Sequence, residues 1–311
     1  MFDPRILSGP LLGWGLGAND AANIFGTAVT SRMVRYSTAI ILTALFILLG
    51  ALLQGQEGME TLSSLTPQAA DTAFIASLAA GITVILMTIL KLPISTSQAV
   101  VGAILGVGFA SGSAIDMGGL LKIVISWLIT PVGAFVFTII FYQIVLFIMR
   151  RMHLSMAGMD SFLRWGLLVA GAYGAYALGA NNVANVTGVY AGNLLTVQQA
   201  VVVGGISIAL GVLTYSKNVM MTVGKGIVPL DPFSAFITVI ATALTVHIFA
   251  MIGVPVSSSQ AIVGAVVAIG VLKNIEAINY PVVIKVFSGW LFTPTCAFIV
   301  AYGILLIRPH S

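Results

Sequence analysis

Two short polar strings stand in an otherwise apolar chain, and each occurs twice. Gly17-Ala-Asn-Asp-Ala-Ala-Asn23 returns as Gly179-Ala-Asn-Asn-Val-Ala-Asn185, and Pro93-Ile-Ser-Thr-Ser-Gln98 returns as Pro255-Val-Ser-Ser-Ser-Gln260. The first string offers amide and carboxylate oxygens, which suit a hard cation such as sodium, and its small Gly and Ala neighbours let backbone carbonyls approach as further ligands. The candidate cation ligands are Asn19, Asp20, Asn23, Asn181, Asn182 and Asn185, helped by Gln98 and Gln260. Asn19 and Asn23 are four apart, as are Asn181 and Asn185, so each pair shares one face if the string is helical. The second string offers hydroxyls behind a proline. Proline cannot continue the preceding helix but suits the start of a new one, and a following Ser or Thr can cap it. Ser95, Thr96, Ser97, Ser257, Ser258 and Ser259 are therefore expected at two helix N-termini, where free N–H groups, hydroxyls and the positive dipole end make an anion site.

The elements holding these strings must exclude water, and the composition is of that kind. The 311 residues include 13 basic and 9 acidic side chains, 7% of the chain, against about a quarter in soluble domains. With 59% hydrophobic residues and a mean hydropathy of +1.09, the chain is read as an all-α polytopic membrane protein. The net charge of +4 then belongs to cytoplasmic loops rather than to a nucleic-acid surface. A single cysteine, Cys296, leaves no intrachain disulfide and no thiolate metal cluster. Residues 1–6 lack the basic start of a cleavable signal, so the first helix is expected to stay in the protein.

Both strings recur at one displacement, 162 residues, and Trp127-Leu-Ile-Thr-Pro131 matches Trp290-Leu-Phe-Thr-Pro294 at 163. Two motifs at one offset mark a duplication: a first repeat over 1–149, a linker over 150–164 expected on the cytoplasmic side, and a second repeat over 165–311. Apolar segments fall near 6–28, 36–53, 72–90, 99–112 and 119–149, then near 165–190, 197–214, 231–252, 261–272 and 286–307. The fourth of each set is too short to cross a core of about 30 Å. It is expected to be the returning arm of a re-entrant hairpin with the Pro-x-Ser string at its tip, and each Gly-Ala-Asn helix is expected to be discontinuous. The segment 119–149 could break near Pro131. Equivalent loops differ in charge: 29–35 holds Arg32 and Arg35 while 191–196 is uncharged, and 54–71 is acidic while 215–230 carries Lys217 and Lys225. Such a reversal, with three crossings and one hairpin per half, gives two inverted-topology repeats with both termini outside the cell membrane. Nine of the 13 basic residues then lie inside.

Asp20 is the one acid placed at membrane depth; its repeat mate is the neutral Asn182. A carboxylate there is a functional candidate by default, and its expected role is to bind a coupling cation, sodium or a proton. Other polar residues receive plainer readings: Lys91 as a snorkelling side chain, His247 as a hydrogen-bonded packing residue, Trp127 and Trp290 as scaffold or interface belt, and Thr130 and Thr293 as partners of a carbonyl freed by the next proline.

The doubled Gly-Ala-Asn-Asp/Asn-x-Ala-Asn string, each copy followed by Pro-x-Ser-Ser/Thr-Ser-Gln-Ala, resembles the inorganic phosphate transporter (PiT) family across nearly the whole chain. The resemblance implies phosphate uptake driven by sodium in many members and by protons in others, sulfate as substrate in some bacterial relatives, and a homodimer whose transport region moves against a scaffold. The large hydrophilic loop of animal members is absent, which looks prokaryotic and places the chain in the inner membrane. The expected function is secondary active import of phosphate coupled to sodium by alternating access. Phosphate is expected between the hairpin tips and sodium beside it, with no other cofactor. The alternatives are a proton-coupled phosphate or sulfate permease and a passive anion channel, which has no need of a buried carboxylate. An enzyme is disfavoured, since no Ser-His-Asp set or zinc-type cluster lies at membrane depth.

Overall fold

In apolar surroundings a backbone must satisfy its own hydrogen bonds, and a helix does so within one segment. The computed structural model describes residues 3–89, 94–153, 155–223, 230–273 and 280–307. The first half holds α1 (Ser8–Thr30), α2 (Tyr36–Gln54), α3 (Glu57–Ser63), α4 (Ala70–Ile89), α5 (Thr96–Ser111) and α6 (Met117–Met152). The second holds α7 (Met156–Thr187), α8 (Val197–Val223), α9 (Pro232–Met251), α10 (Ser258–Lys273) and α11 (Tyr280–Ile307). Among the described residues the only β feature is an isolated bridge between Ala191 and Leu195. Among the described residues six helices are long and apolar enough to cross a membrane: α2, α4, α6, α8, α9 and α11. Helices α5 and α10 have 16 residues each, about 24 Å, short of a full crossing as their segments implied.

The two halves exchange equivalent contacts. Helix α1 packs on α8 and α2 on α7; α5 packs on α11 and α10 on α6. Glycine makes these approaches possible. A Cβ on Gly17 would stand 2.0 Å from the Ile208 carbonyl oxygen, and one on Gly179 would stand 2.1 Å from that of Ile47. The second pair of contacts repeats the arrangement, with a Cβ on Gly102 placed 2.2 Å from the Pro294 oxygen and one on Gly264 placed 2.1 Å from that of Pro131. At such distances the helix backbones touch and no side chain fits between them.

Several expectations need correction. Helix α1 runs unbroken through Asn19, Asp20 and Asn23, and α7 runs unbroken through Asn181, Asn182 and Asn185, so neither motif helix is discontinuous. Asn23, Asn181 and Asn185 bond outward to the hairpins, which leaves the helical ladder intact. Helix α6 also continues past Pro131, where the Thr130 hydroxyl bonds the Ser126 carbonyl at 2.6 Å; Thr293 does the same to Gly289 beside Pro294. Residues 150–164 are mostly helix ends, and the acidic loop at 54–71 contains α3, which buries Met59 and Leu62. Lys91 and Pro93 at the expected first hairpin tip, Lys225, and Arg308 lie outside the described residues.

Burial differs sharply between inner and outer helices. Helix α9 buries most of its length, whereas α6 and α11 leave Leu128, Val132, Ile140, Leu291, Phe292 and Ile299 exposed, an apolar surface suited to lipid. The polar strings sit on the inner helices.

Candidate functional site

Each Pro-x-Ser string builds the start of a short helix. Ser95 has extended backbone, φ −117° and ψ 109°, and its Oγ accepts from the Gln98 N–H at 3.3 Å, capping α5. Ser257 Oγ accepts from the Gln260 N–H at 3.2 Å and caps α10 in the same way. The two tips touch, since Ser97 Oγ donates to the Val256 carbonyl at 2.8 Å. Two helix N-termini, with their free N–H groups and positive dipole ends, thus meet in the protein interior.

The asparagine strings clasp these tips. Asn181 makes both bonds an amide can make to one residue: Nδ2 donates to the Val256 carbonyl at 2.8 Å, and Oδ1 accepts from the Val256 N–H at 3.0 Å. Asn185 Nδ2 donates to Ser97 Oγ at 2.8 Å and to Asn182 Oδ1 at 2.9 Å. On the other side, Asn23 Nδ2 donates to Ser259 Oγ at 3.3 Å, and Ser258 Oγ donates to Asp20 Oδ2 at 2.9 Å. Asn23–Ser259 and Asn185–Ser97 are equivalent under the repeat. Each crosses from one half to the hairpin of the other.

Asp20 is 3% exposed, a carboxylate in the interior that accepts from the Ser258 hydroxyl. The two kinds of motif also carry buried polar atoms without protein partners: Thr96 Oγ1, Gln98 Oε1, Gln260 Oε1, Asn185 Oδ1 and Asn182 Nδ2. Buried polar groups are almost always paired, so orphaned oxygens concentrated on two motifs mark a place for a ligand. Four of these five atoms are neutral oxygens, which like the Asp20 carboxylate are of the donor type that suits a small hard cation. Among the described residues no three His, Cys, Asp or Glu side chains converge as they would on a transition metal.

The structure therefore brings Asp20, Asn23, Asn181, Asn182, Asn185, Ser95, Thr96, Ser97, Gln98, Ser257, Ser258, Ser259 and Gln260 to one region, joined by the bonds above. Asn19 sits in the same helix one turn before Asn23, with an interaction of its own. Their tasks differ from one another more than residue type suggests. Ser95 and Ser257 are caps, Ser97, Ser258 and Ser259 bond within the clasp, and Thr96 keeps a free hydroxyl. His247 lies outside the site, bridging Tyr173 OH at 2.7 Å and Gln54 Oε1 at 2.6 Å.

Two features escaped the motifs. The Val256 backbone is the hub of the clasp, and a main-chain group leaves no mark in a sequence. Thr242 on α9 lines a cavity with Asn23 and Ser258. The hint in the sequence is that its repeat mate, 162 residues earlier, is Ala80.

Comparison with known proteins agrees with this geometry. A family model described as the phosphate transporter family matches residues 16–301. A protein of Methanocaldococcus jannaschii, provisionally named a phosphate permease, is 31% identical over 92% of this chain and 91% of its own length. The sulfate permease CysP of Bacillus subtilis is 31% identical over 92% of this chain and 82% of its own. The solved structure of a sodium-dependent phosphate transporter superposes with a TM-score of 0.82 over 98% of both chains at 22% identity, which shows a shared fold.

Proposed function

The chain belongs to the phosphate transporter family, and from that premise we propose that it imports inorganic phosphate together with sodium, by alternating access across the inner membrane. The observation that carries this reading is the meeting of two capped helix N-termini beside Asp20 and a set of orphaned neutral oxygens. In this reading N–H groups at the starts of α5 and α10, with the Thr96 hydroxyl, bind the oxyanion. In this reading the oxygens of Asp20, Asn185, Gln98 and Gln260 take sodium, and the name of the solved neighbour, a sodium-dependent transporter, agrees with that ion.

Coupling follows from electrostatics. The site residues include no Lys or Arg, so the anion's charge must be offset by bound cations. A pair of unit charges 4 Å apart is worth about 4 kcal/mol at an effective dielectric constant of about 20, so each ion holds the other. The exchanged contacts between halves support two inverted repeats, with the Arg150 to Arg164 turn inside and both termini outside. In this reading α4–α5 and α9–α10 are re-entrant hairpins, and rocking them against α6 and α11 opens the site to each side in turn. The exposed apolar faces of α6 and α11 supply surface for lipid and for a second copy in a homodimer.

One observation favours a second reading: the sulfate permease of B. subtilis is as similar as the archaeal relative, and both substrates are tetrahedral oxyanions. Uptake of labelled phosphate or sulfate into proteoliposomes, each under an imposed sodium or proton gradient, separates the possibilities. Phosphate accumulation driven by sodium is expected. Accumulation driven by protons alone, sulfate preferred over phosphate, or uptake that only equilibrates would overturn the reading.

A further inference from the structure

One repeated string is still without a task. Trp127-Leu-Ile-Thr-Pro131 and Trp290-Leu-Phe-Thr-Pro294 lie on α6 and α11, and their threonines do no more than bond back to their own helices. The tryptophans behave differently. Each is 9% exposed although the two residues after it are open to the surface, Leu128 and Ile129 on α6 and Leu291 and Phe292 on α11. Each also keeps its indole N–H buried and without a partner among the described residues. An indole nitrogen can only donate, and a buried tryptophan usually finds an acceptor for it. The same donor left open at two equivalent positions calls for an acceptor that the protein does not itself provide.

Packing sets these donors beside the two helix N-termini of the site. A Cβ on Gly102 would stand 2.2 Å from the Pro294 oxygen, and one on Gly106, a turn later, 2.4 Å from that of Phe298. Helices α5 and α11 therefore run in the same direction, turn against turn. One turn earlier the same register sets Trp290 level with Gln98, near the start of α5. The approach of Gly264 to Pro131 is the equivalent contact of α10 with α6, and it sets Trp127 level with Gln260. A helical side chain leans toward the N-terminus of its own helix, so each indole leans from that level toward the free N–H groups that open the short helix beside it. Trp290 also shares an apolar cluster with Val263 of α10, which turns it toward the short helices rather than toward lipid.

We propose that Trp127 and Trp290 are donors to the transported oxyanion, one beside each short-helix N-terminus. The proposal rests on the transport reading above and gives α6 and α11, the frame in that reading, a direct part in holding the substrate. The chemistry of the group selects the ligand: an indole N–H has nothing to offer sodium, whereas every oxygen of a phosphate or sulfate accepts. A neutral donor also suits a site without Lys or Arg, because a hydrogen bond to a charged acceptor is about twice as strong as one between neutral groups.

The test reads the indole N–H directly by nuclear magnetic resonance. The tryptophans of the purified full chain carry labelled indole nitrogens, and Trp14→Phe and Trp165→Phe identify the two signals that lie outside the site; Trp14 donates to Thr214 and Trp165 is exposed. In saturating sodium, inorganic phosphate is expected to move the Trp127 and Trp290 signals downfield and leave the other two in place. Sulfate is titrated in the same way, and whichever anion binds should move the same two signals. Phosphate affinity should fall about tenfold or more in Trp127→Phe and in Trp290→Phe, the loss of one hydrogen bond to a charged group. The rise in melting temperature caused by sodium alone should keep its wild-type size in both. Bound anion with both signals unmoved would overturn the proposal and leave the transport reading intact, and the wild-type signals decide alone if a phenylalanine variant does not fold. A wild-type protein that binds neither anion would overturn the transport reading and the proposal with it.

Discussion

Asp20 with Ser258 and Asn182 with Thr96 occupy equivalent places in the two halves, yet only the first pair is bonded. Ser258 donates to Asp20 at 2.9 Å, whereas Asn182 Nδ2 and Thr96 Oγ1 have no partners and Asn182 Oδ1 is taken by Asn185. The close helix approach beside each motif has not diverged, since those at Gly17 and Gly179 differ by only 0.1 Å, 2.0 against 2.1 Å. Duplication has kept the contacts that hold the helices together and released the residues proposed to meet the ions. A symmetric frame thus carries an asymmetric charge, which gives direction to the question of where the coupling ion sits.

Breaking the shared frame should have the largest effect, and an equal one in each half. Gly17→Val and Gly179→Val each force a side chain onto a backbone carbonyl and should cost about 3 kcal/mol or more, read as loss of folded, monodisperse protein. A large difference between the two would show that the halves do not share their packing. Removing the asymmetry comes next. Asp20→Asn makes the two motifs alike, and sodium-stimulated phosphate uptake should fall about 100-fold or more, since the charge that holds the cation is gone. A variant that retains wild-type sodium dependence would remove Asp20 from the coupling role.

The clasps provide smaller and graded contrasts. Asn181→Ala strips the Val256 N–H and carbonyl of the Asn181 side chain and should lower stability by about 2 kcal/mol, measured as a drop in melting temperature. Ser259→Ala removes one longer bond, at 3.3 Å to Asn23, and should cost less than about 1 kcal/mol. The reverse order would mean that the cross-half bonds, rather than the Val256 hub, hold the tips.

Much of this was legible in the sequence because duplication writes the same signal twice. The equal displacement of two motifs located the repeats, the short fourth segments anticipated α5 and α10, and serine after proline anticipated both caps. Three kinds of information were not carried by residue type. Asn19, Asp20 and Asn23 read as an interrupted helix because polar residues at membrane depth usually accompany broken backbone, but here Asp20 and Asn23 bond to the hairpin and α1 stays whole. Pro131 read as a break because a lost N–H usually ends a helix, yet α6 continues through it. Half of the candidate anion-binding hydroxyls, those of Ser97, Ser258 and Ser259, bond within the clasp, because a hydroxyl's partner depends on which helix end faces it. Thr242 was hidden for another reason: its meaning comes from the absence of its mate in the other half.

The central claim is that phosphate and sodium hold each other at Asp20 in this chain, and equilibrium binding tests it most directly. Phosphate affinity of the purified protein should be measured with and without sodium, and sodium affinity with and without phosphate. Linkage requires the two enhancement factors to be equal; each is expected to be about tenfold or more in wild type and near one in Asp20→Asn. Phosphate binding of the same strength in the presence and absence of sodium would contradict the account.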